Sequence, residues 1–393
     1  MNYFLERSYG FIIDIYNIYL QAFHMISVDS DKEIKNTKIV VAMSGGVDSS
    51  VVAASLKKQG YDVIGITLQL YDHGQAVKKT GACCAGADII DAKKVAQKFD
   101  FPHYVLNYED LFRESVIDDF ADSYLRGETP IPCVKCNQTV KFRDLLKVAK
   151  DLGADMLATG HYVQRKVGKN GVELHKAIDN SKDQSYFLFA TTKEQLNFLH
   201  FPLGGFTKEE TRKEAKELGL ELADKPDSQD ICFVPNGDYA AVISKVRPKA
   251  FKKGEIVDID GKVLGGHDGI INYTIGQRRG LGISNPDPLF VVKIDAVKNQ
   301  IIVGKESDLK NTKFLVKEFN WLGDQEIFEK EIDVKVRLRS GQTEQKAKIL
   351  LKKDHTAYVA MKDPTRAITV GQACVAYDGD RVIGGGWIDK VLD

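Results

Sequence analysis

Cysteine is scarce in this chain, with six residues among 393. So few cysteines exclude a small secreted scaffold held together by disulfides and favour a reducing compartment, so we expect a cytoplasmic protein. A net charge is also lacking, because 55 Lys and Arg balance 55 Asp and Glu. No overall field attracts a polyanion, and only local basic groups, such as Arg278 with Arg279, could contact one.

Long apolar runs are missing as well. The best candidate extends from Phe11 to Ile26, but four polar residues interrupt it, and it is too short and too polar to cross a bilayer. We therefore expect no association with a membrane. Residues 1–36 are predicted to be a loosely attached N-terminal extension.

The lysine of a Walker A loop, Gly-x-x-x-x-Gly-Lys-Ser/Thr, is absent too. Instead, the apolar residues 39–43 run into Ser44-Gly45-Gly46-Val47-Asp48-Ser49, and a helical pattern follows. Two glycines allow positive φ and bring backbone N–H groups close to an anion, while two hydroxyls and a helix N-terminus add further donors. The segment is predicted to bind phosphate groups without a lysine of its own.

Strand and helix patterns alternate through residue 160, which predicts an α/β fold with a doubly wound parallel sheet and a ligand at the carboxyl ends of its strands. Short β-branched runs after Gly254 predict a small C-terminal β-barrel. The predicted division is a catalytic domain over 37–236, a small central domain over 237–308 and the barrel over 309–393. Within the first domain we predict helices 49–59, 87–99, 111–125 and 139–152, and strands 62–68, 103–106 and 156–159.

Three cysteines stand out in two motifs. Cys133 and Cys136 form Pro-Cys-x-x-Cys-Asn, and Cys232 lies in Asp-Ser-Gln-Asp-Ile-Cys-Phe. Asn137 could cap a helix beginning at Thr139, which would place Cys136 near a helix N-terminus and lower its pKa. The first motif could also be half of a zinc site, but no second Cys-x-x-Cys completes it.

The glycine-rich loop resembles that of the ATP pyrophosphatases. Together with the cysteine motifs, Ala-Thr-Gly-His-Tyr at 158–162, Lys-Asp-Gln-Ser-Tyr at 182–186 and Gly-Gln-Arg-Arg-Gly-Leu-Gly at 276–282, it makes residues 37–392 similar to the family of bacterial tRNA-specific 2-thiouridylases. The resemblance implies that ATP is bound by Ala42, Met43, Ser44, Gly45, Gly46, Val47, Asp48, Ser49, Leu68 and Gly160. It implies a target-base and tRNA surface made of Ile131, Pro132, Cys133, His161, Lys182, Asp183, Gln184, Arg337, Leu338 and Gln372.

By the same resemblance, O2 of the wobble uridine is adenylated by ATP with Mg²⁺, and pyrophosphate is released. Cys232 carries a persulfide sulfur, and Cys136 is the nucleophile that releases it to the base, leaving a Cys136–Cys232 disulfide. The implied partners are tRNA and a persulfide donor, either a sulfur-relay protein or a cysteine desulfurase.

Three alternatives stay open. One is another ATP pyrophosphatase, such as a GMP, NAD or argininosuccinate synthetase, although these need no redox thiols. Another is thiolation through a [4Fe–4S] cluster held by Cys133, Cys136 and Cys232. The last is a tRNA-binding module that uses ATP only structurally, which leaves the thiols without a role.

Overall fold

The computed structural model describes residues 26, 28, 32–71, 84–227, 230–234, 237–325 and 327–392. Cys83, Ser228 and Gln229, like most of the predicted N-terminal extension, lie outside these residues. The strands of the described chain are β1 Lys38–Ala42, β2 Asp62–Gln69, β3 His103–Asn107, β4 Met156–Thr159, β5 Val163–Gly168, β6 Gly171–Lys176, β7 Leu199–His200, β8 Gly254–Asp258, β9 Val263–His267, β10 Phe290–Asp295, β11 Gln300–Gly304, β12 Lys310–Trp321, β13 Glu331–Arg337, β14 Gln345–Leu351, β15 Ala357–Arg366, β16 Ala373–Asp378 and β17 Arg381–Leu392. The helices are α1 Val47–Lys58, α2 Cys84–Phe99, α3 Glu109–Phe112, α4 Asp118–Leu125, α5 Pro132–Lys135, α6 Leu146–Asp151, α7 Lys193–Phe198, α8 Lys208–Glu217 and α9 Tyr239–Val246, with π-helical turns at Arg113–Ile117 and Cys136–Leu145.

The first domain is built on a parallel sheet of order β3-β2-β1-β4-β7. Strand β1 is central and apolar, and its residues Ile39, Val40 and Val41 are fully buried. Helices α1 and α2 cover one face, and the helical segment from α5 to α6 covers the other. The predicted doubly wound sheet is confirmed, and it places the carboxyl ends of β1, β2 and β4 along one edge.

One predicted helix start is wrong. The helix does not begin at Thr139; it begins at Pro132 and continues as π-helical turns from Cys136 to Leu145 before α6. Proline is well suited to a first helical position, because its missing N–H would have no helical partner there. Pro132 is therefore the residue that starts the helix.

The C-terminal domain is a closed barrel, as predicted. Its strands run in the order β12-β15-β14-β13-β16-β17, and β12 also pairs with β17, which closes the sheet. The hairpin of β5 and β6, which belongs to the first domain by sequence, adds to this sheet through Arg381 opposite His175. The barrel and the first domain therefore share a hydrogen-bonded sheet and also one apolar core, to which Trp387 and Tyr377 contribute.

The segment between these domains forms a four-stranded sheet of order β10-β11-β8-β9 with α9 beside it. Its core includes Phe120 and Tyr124 of α4, so it packs on the first domain.

Near the N-terminus, Ile26 is only 2% exposed, and its carbonyl accepts a hydrogen bond from Gln59 Nε2 at 2.6 Å. This described part of residues 1–36 is packed against the first domain, and most of the segment for which loose attachment is predicted lies outside the described residues. Within the described residues, no helix combines the length and the apolarity needed to span a membrane.

Candidate active site

The glycine-rich loop joins β1 to α1 at the carboxyl edge of the sheet. Ser49 Oγ accepts a hydrogen bond from Ser44 N at 3.1 Å and lies 3.3 Å from Ser44 Oγ. Ser44 Oγ also accepts from Gly46 N at 3.4 Å. The two hydroxyls therefore hold the loop in a tight turn at the start of α1, whose N-terminus favours negative charge.

Positions 45 and 160 require glycine, because another part of the backbone passes too close to leave room for a Cβ. Gly45 has φ of 77°, and a Cβ there would lie 2.1 Å from the carbonyl oxygen of Asp88 in α2. A Cβ on Gly160, which follows β4, would lie 2.8 Å from Ser49 N. Both positions were predicted to contact ATP, and both bring a bare backbone to the edge where β1 and β4 end.

Two lysines from outside the loop lie against it. Lys208 Nζ donates to the two carboxylate oxygens of Asp48 at 2.7 and 2.9 Å. Lys225 Nζ donates to Gly45 O at 2.9 Å and to the carboxylates of Asp88 and Asp91, both at 2.6 Å. The loop has no cation of its own, but the fold supplies two.

The sequence prediction missed both lysines, yet Lys208 carries a signal. It is the first residue of α8 and lies between Thr207 and Glu210, which form a capping box. A cation at a helix N-terminus opposes the helix dipole, so a lysine there is a poor choice for helix stability alone. Its side chain is only 11% exposed and reaches the glycine-rich loop.

Asp227 lies next to this cluster and joins three cations. Its carboxylate pairs with Lys182 at 2.7 Å, Lys208 at 2.8 Å and Arg212 at 3.0 Å. Burial opposes the ionisation of Asp227, but the hydrogen bonds from Lys182 and Lys208 outweigh it and lower its pKa to about 2. The sequence motif that contains Cys232 begins at this anchored residue.

Cys136 is buried in the helix that starts at Pro132. Burial raises its pKa, and the charge of Lys141 opposes that shift without reversing it. The predicted lowering of this pKa is wrong, because Cys136 lies beyond the first helical turn, in an apolar cluster. Asn137 is likewise no cap: it lies inside the helical segment, and its Nδ2 donates to Phe187 O at 3.3 Å.

The four described cysteines with assigned burial all have free thiols. Cys133 and Cys232 are exposed, and Cys136 and Cys374 are buried. Desolvation by the surrounding protein, followed by the neighbouring Cys136 and Cys133, raises the pKa of Cys232 to about 12. Desolvation also raises the pKa of Cys133. The three thiols of the two motifs are thus close enough to disfavour one another's ionisation.

The carboxyl end of β2 connects the thiols to the sheet edge. Leu68, predicted to contact ATP, packs in the same apolar cluster as Cys136 and Phe233. Three residues later, the hydroxyl of Tyr71 donates to Cys232 O at 2.9 Å. The glycine-rich loop at the end of β1 and the thiols beyond the end of β2 therefore belong to one edge of the sheet.

Several residues expected to meet the target base are engaged within the protein. Asp183 is 1% exposed in its side chain and pairs with Arg337 at 2.7 Å. Gln184 Oε1 accepts from Tyr162 N at 2.8 Å. Burial, and then the charge of Lys141, lowers the pKa of His161 to about 3, so its ring is neutral near pH 7. Ile131 and Pro132 are buried in the turn that starts α5.

The three barrel residues expected to contact tRNA have partners within the protein or are buried in it. Arg337 pairs with Asp183 and lies over the ring of Tyr377, 5.0 Å from its centroid. Leu338 is 4% exposed. Gln372 Nε2 donates to Thr129 O at 2.9 Å. Arg337 and Gln372 therefore join the barrel to the first domain, and Leu338 belongs to the core of the barrel.

Among the described residues, no three His, Cys, Asp or Glu side chains are grouped to hold a metal ion. Cys133, Cys136 and Cys232 are near one another but do not form such a group in this conformation.

The fold and the loop define a nucleotide-binding α/β domain with thiols at the edge that carries the loop. Residues 37–236 match the family described as "tRNA methyl transferase HUP domain", residues 241–305 the "tRNA methyl transferase PRC-barrel domain" and residues 311–388 the "Aminomethyltransferase beta-barrel domain".

Close relatives share almost the whole chain. The tRNA-specific 2-thiouridylase MnmA of Rickettsia conorii is 59% identical over 358 residues, 91% of this chain and 97% of the relative. That of Orientia tsutsugamushi is 60% identical over 352 residues, 90% of this chain and 95% of the relative. The chain belongs to the family of tRNA-specific 2-thiouridylases.

Solved structures match more distantly. An NMN synthetase from Francisella tularensis aligns with a TM-score of 0.31 and 14% identity, covering 55% of this chain and 78% of that one. A 4-thiouridine synthetase in complex with RNA and ATP aligns with a TM-score of 0.32 and 20% identity, covering 55% of this chain and 54% of that one.

Proposed function

We propose that this protein is a tRNA-uridine 2-sulfurtransferase, which uses ATP to replace O2 of the wobble uridine, position 34 of tRNA, with sulfur. The names of relatives at 59–60% identity support the activity. The observation that carries the mechanism is that the glycine-rich loop and the end of β2 lie at the same edge of the sheet. Leu68, at the end of β2, packs in the same cluster as Cys136, and Tyr71, just beyond it, donates a hydrogen bond to Cys232 O.

The first step activates the base. Uracil O2 attacks the α-phosphorus of ATP, the bond from that phosphorus to the bridging oxygen of pyrophosphate breaks, and pyrophosphate leaves. The backbone of Gly45 and Gly46, with the hydroxyls of Ser44 and Ser49, would hold the departing phosphates at the N-terminus of α1. The uracil C2 then carries an AMP group, which is a good leaving group.

The second step transfers sulfur. A persulfide on Cys232 attacks C2 through its outer sulfur, and AMP leaves with the former O2. Cys136 then attacks Cys232 Sγ, the sulfur–sulfur bond to the base breaks, and 2-thiouridine forms with a Cys136–Cys232 disulfide. An external thiol reductant must reduce that disulfide before the next turnover.

The raised pKa of Cys232 suits a sulfur carrier. With a pKa of about 12, the unmodified thiol is protonated near pH 7 and is a poor nucleophile. A persulfide ionises more readily than a thiol, so loading with sulfur would produce the reactive anion only when there is sulfur to deliver.

Mg²⁺ would accompany ATP and neutralise its phosphates. Because Asp48 is already paired with Lys208 and Tyr162, phosphate oxygens and water would supply most of the ligands of Mg²⁺. The partners we propose are tRNA and a protein persulfide donor, either a cysteine desulfurase or a sulfur-relay protein, in the cytoplasm. The domain division at residues 37, 237 and 309 is proposed with this function.

The test is mass spectrometry of nucleosides from tRNA incubated with the protein, ATP, Mg²⁺, a persulfide source and a thiol reductant. We expect 2-thiouridine and one pyrophosphate per modified base. Cys232→Ser should form no 2-thiouridine yet still release pyrophosphate when tRNA is present. Lack of 2-thiouridine with the unmodified protein, both in air and without oxygen, would contradict the proposal.

A further inference from the structure

Cys232 lies in a tight turn of residues 231–234. Val234 N donates a hydrogen bond to Ile231 O at 2.9 Å, which closes the turn and makes Cys232 and Phe233 its two central residues. The bond that closes such a turn does not use the carbonyl of a central residue. The carbonyl of Cys232 can therefore accept from another donor, and the hydroxyl of Tyr71 donates to it at 2.9 Å.

The other side of this turn is packed into the protein. The ring of Phe233 makes edge-on contacts with Phe112 and Phe120, at centroid distances of 5.7 and 5.2 Å, and both partners are 1% exposed. Val234 is 3% exposed. The turn thus has a fixed place in the fold, while Cys232 itself is exposed.

Tyr71 also contacts the surroundings of Cys136. Its ring centroid lies 6.0 Å from that of Phe112, which belongs to the apolar cluster that buries Cys136, and Tyr71 packs against this cluster. Desolvation, and next the neighbouring Cys136, raises the pKa of Cys232, so the two sulfurs are near each other. One side chain just beyond the end of β2 therefore contacts the residue of one thiol and the cluster around the other.

The distance and orientation of two thiols decide how readily they form a disulfide. The bond requires the sulfurs to come to about 2 Å from each other with a specific dihedral angle. The effective concentration of one thiol at the other rises when the backbone is held near the reactive geometry. A hydrogen bond to the backbone of Cys232, from a ring that packs beside Cys136, provides such a restraint.

We propose that Tyr71 is a positioning residue for the release step, which holds the backbone of Cys232 where Cys136 can attack Cys232 Sγ. This inference rests on the proposed function, because it concerns one step of that reaction. In the step, the thiolate of Cys136 forms a bond to Cys232 Sγ, the bond from Cys232 Sγ to the sulfur on the base breaks, and that sulfur keeps the electron pair. The two cysteines are oxidised to the disulfide as the transferred sulfur is reduced, and solvent takes the proton of Cys136.

The first experiment measures the equilibrium of the Cys136–Cys232 disulfide with reduced and oxidised glutathione, without tRNA or ATP. Trypsin cleaves after Lys135, so mass spectrometry of the linked peptides separates Cys136 from Cys133. Tyr71→Phe keeps the ring and removes the hydroxyl, and it should lower the effective concentration of the two thiols about three- to tenfold, the effect of one hydrogen bond. An equilibrium constant equal to that of the unmodified protein would refute the proposal.

The second experiment follows a single turnover of protein already loaded with persulfide, with no external thiol. Slower attack by Cys136 in Tyr71→Phe should let the covalent adduct between Cys232 and tRNA accumulate, while pyrophosphate is still released. The adduct is detected on a denaturing gel and disappears when a thiol is added. Release of 2-thiouridine as fast as in the unmodified protein, with no additional adduct, would contradict the proposal.

Tyr104→Phe is the matched control, because it removes a hydroxyl from a tyrosine that is 51% exposed on the neighbouring strand β3. It should behave like the unmodified protein in both experiments. A merely structural role for Tyr71 would lower the free energy of unfolding in urea and leave the glutathione equilibrium of the folded protein unchanged.

The two proposals can fail separately. If the unmodified protein forms 2-thiouridine and the disulfide, and Tyr71→Phe forms both equally well, the positioning role is refuted while the proposed function stands. If the unmodified protein forms no 2-thiouridine, the proposed function fails, and the positioning role fails with it.

Discussion

Cys133 is the residue that separates two chemistries. In the persulfide scheme only Cys136 and Cys232 change oxidation state, and Cys133 is an exposed neighbour. In the cluster scheme it is an iron ligand. The difference can be tested by a single substitution.

We expect Cys133→Ala, purified in air as colourless protein, to keep its thiolation rate within about threefold of the unmodified protein, because no bond to its sulfur forms or breaks. Cys133→Asp should behave likewise. Cys136→Ala should lose thiolation by at least about a hundredfold, since the releasing nucleophile is gone. The measurements are 2-thiouridine per tRNA, iron content and visible absorption. Inactive Cys133→Ala that has also lost iron would favour the cluster.

The pKa of Cys232 gives a second prediction. Desolvation of its sulfur by the surrounding protein and the neighbouring thiols raise it to about 12, because both disfavour the thiolate. Alkylation of unmodified Cys232 in the folded protein should therefore keep rising, about tenfold per pH unit, from pH 7 to pH 10. In urea-unfolded protein the rate should level off above about pH 8.5, the ordinary value. Levelling of the native profile near pH 8.5 would show that neither effect raises the pKa of Cys232.

The turn between β1 and α1 shows how a short element depends on its neighbour. Gly45 needs both its positive φ and its missing side chain, because α2 passes directly beside it. Gly86, in α2 itself, has open space around it. The two glycines form a matched pair in adjoining elements.

Gly45→Ala should lower the free energy of unfolding by about 1–3 kcal/mol, from strained backbone and displacement of α2, and should weaken ATP binding at least tenfold. Gly86→Ala should stabilise the protein by up to about 1 kcal/mol, since alanine favours an exposed helix. Urea unfolding and equilibrium binding of ATP measure both effects. Equal stability of the two variants would contradict the close packing of Gly45 against α2.

At the scale of the whole molecule, the barrel and the first domain are joined through buried polar groups. Arg337 of β13 reaches Asp183, whose side chain is 1% exposed. Tyr186 lies with its hydroxyl 3.2 Å from the carbonyls of Leu338 and Ala373. These contacts hold the barrel in a fixed position against the first domain, which carries the cysteines of the two motifs.

Arg337→Met should therefore destabilise the protein by about 3 kcal/mol, because it leaves Asp183 buried without its cation. Lys335→Met, an exposed position on the same strand, should change stability by less than about 0.5 kcal/mol. Urea unfolding provides the comparison. Weaker tRNA binding by Arg337→Met at unchanged stability would instead support the prediction that Arg337 contacts tRNA.

The described N-terminal residues give a prediction at the same scale. Ile26 is 2% exposed in the core beside α1, whereas Ile34 is 45% exposed. Ile26→Ala should cost about 2–4 kcal/mol of unfolding free energy, and Ile34→Ala should cost less than about 0.5 kcal/mol. A neutral Ile26→Ala would support the loose attachment predicted for residues 1–36.

The sequence alone determined the features that depend on local pattern. Alternating apolar segments predicted the parallel sheet, the glycines and hydroxyls of residues 44–49 predicted an anion-binding turn, and β-branched runs predicted the barrel. The sheet and the barrel are confirmed, and residues 44–49 form a turn, because periodicity and backbone freedom are properties of a few consecutive residues. The cysteines and their motifs could be identified in the same way.

The tertiary structure decided what depends on residues far apart in the chain. Burial, which no local pattern measures, reversed the predicted direction of the Cys136 pKa and put Leu338 in the barrel core. Long-range packing brought Lys208 and Lys225 to a loop that has no cation of its own, and turned Arg337 and Gln372 toward the first domain. Charge and solvent exposure are set by the neighbours that folding supplies. Each of Lys208, Lys225, Arg337 and Gln372 contacts a residue more than a hundred positions away.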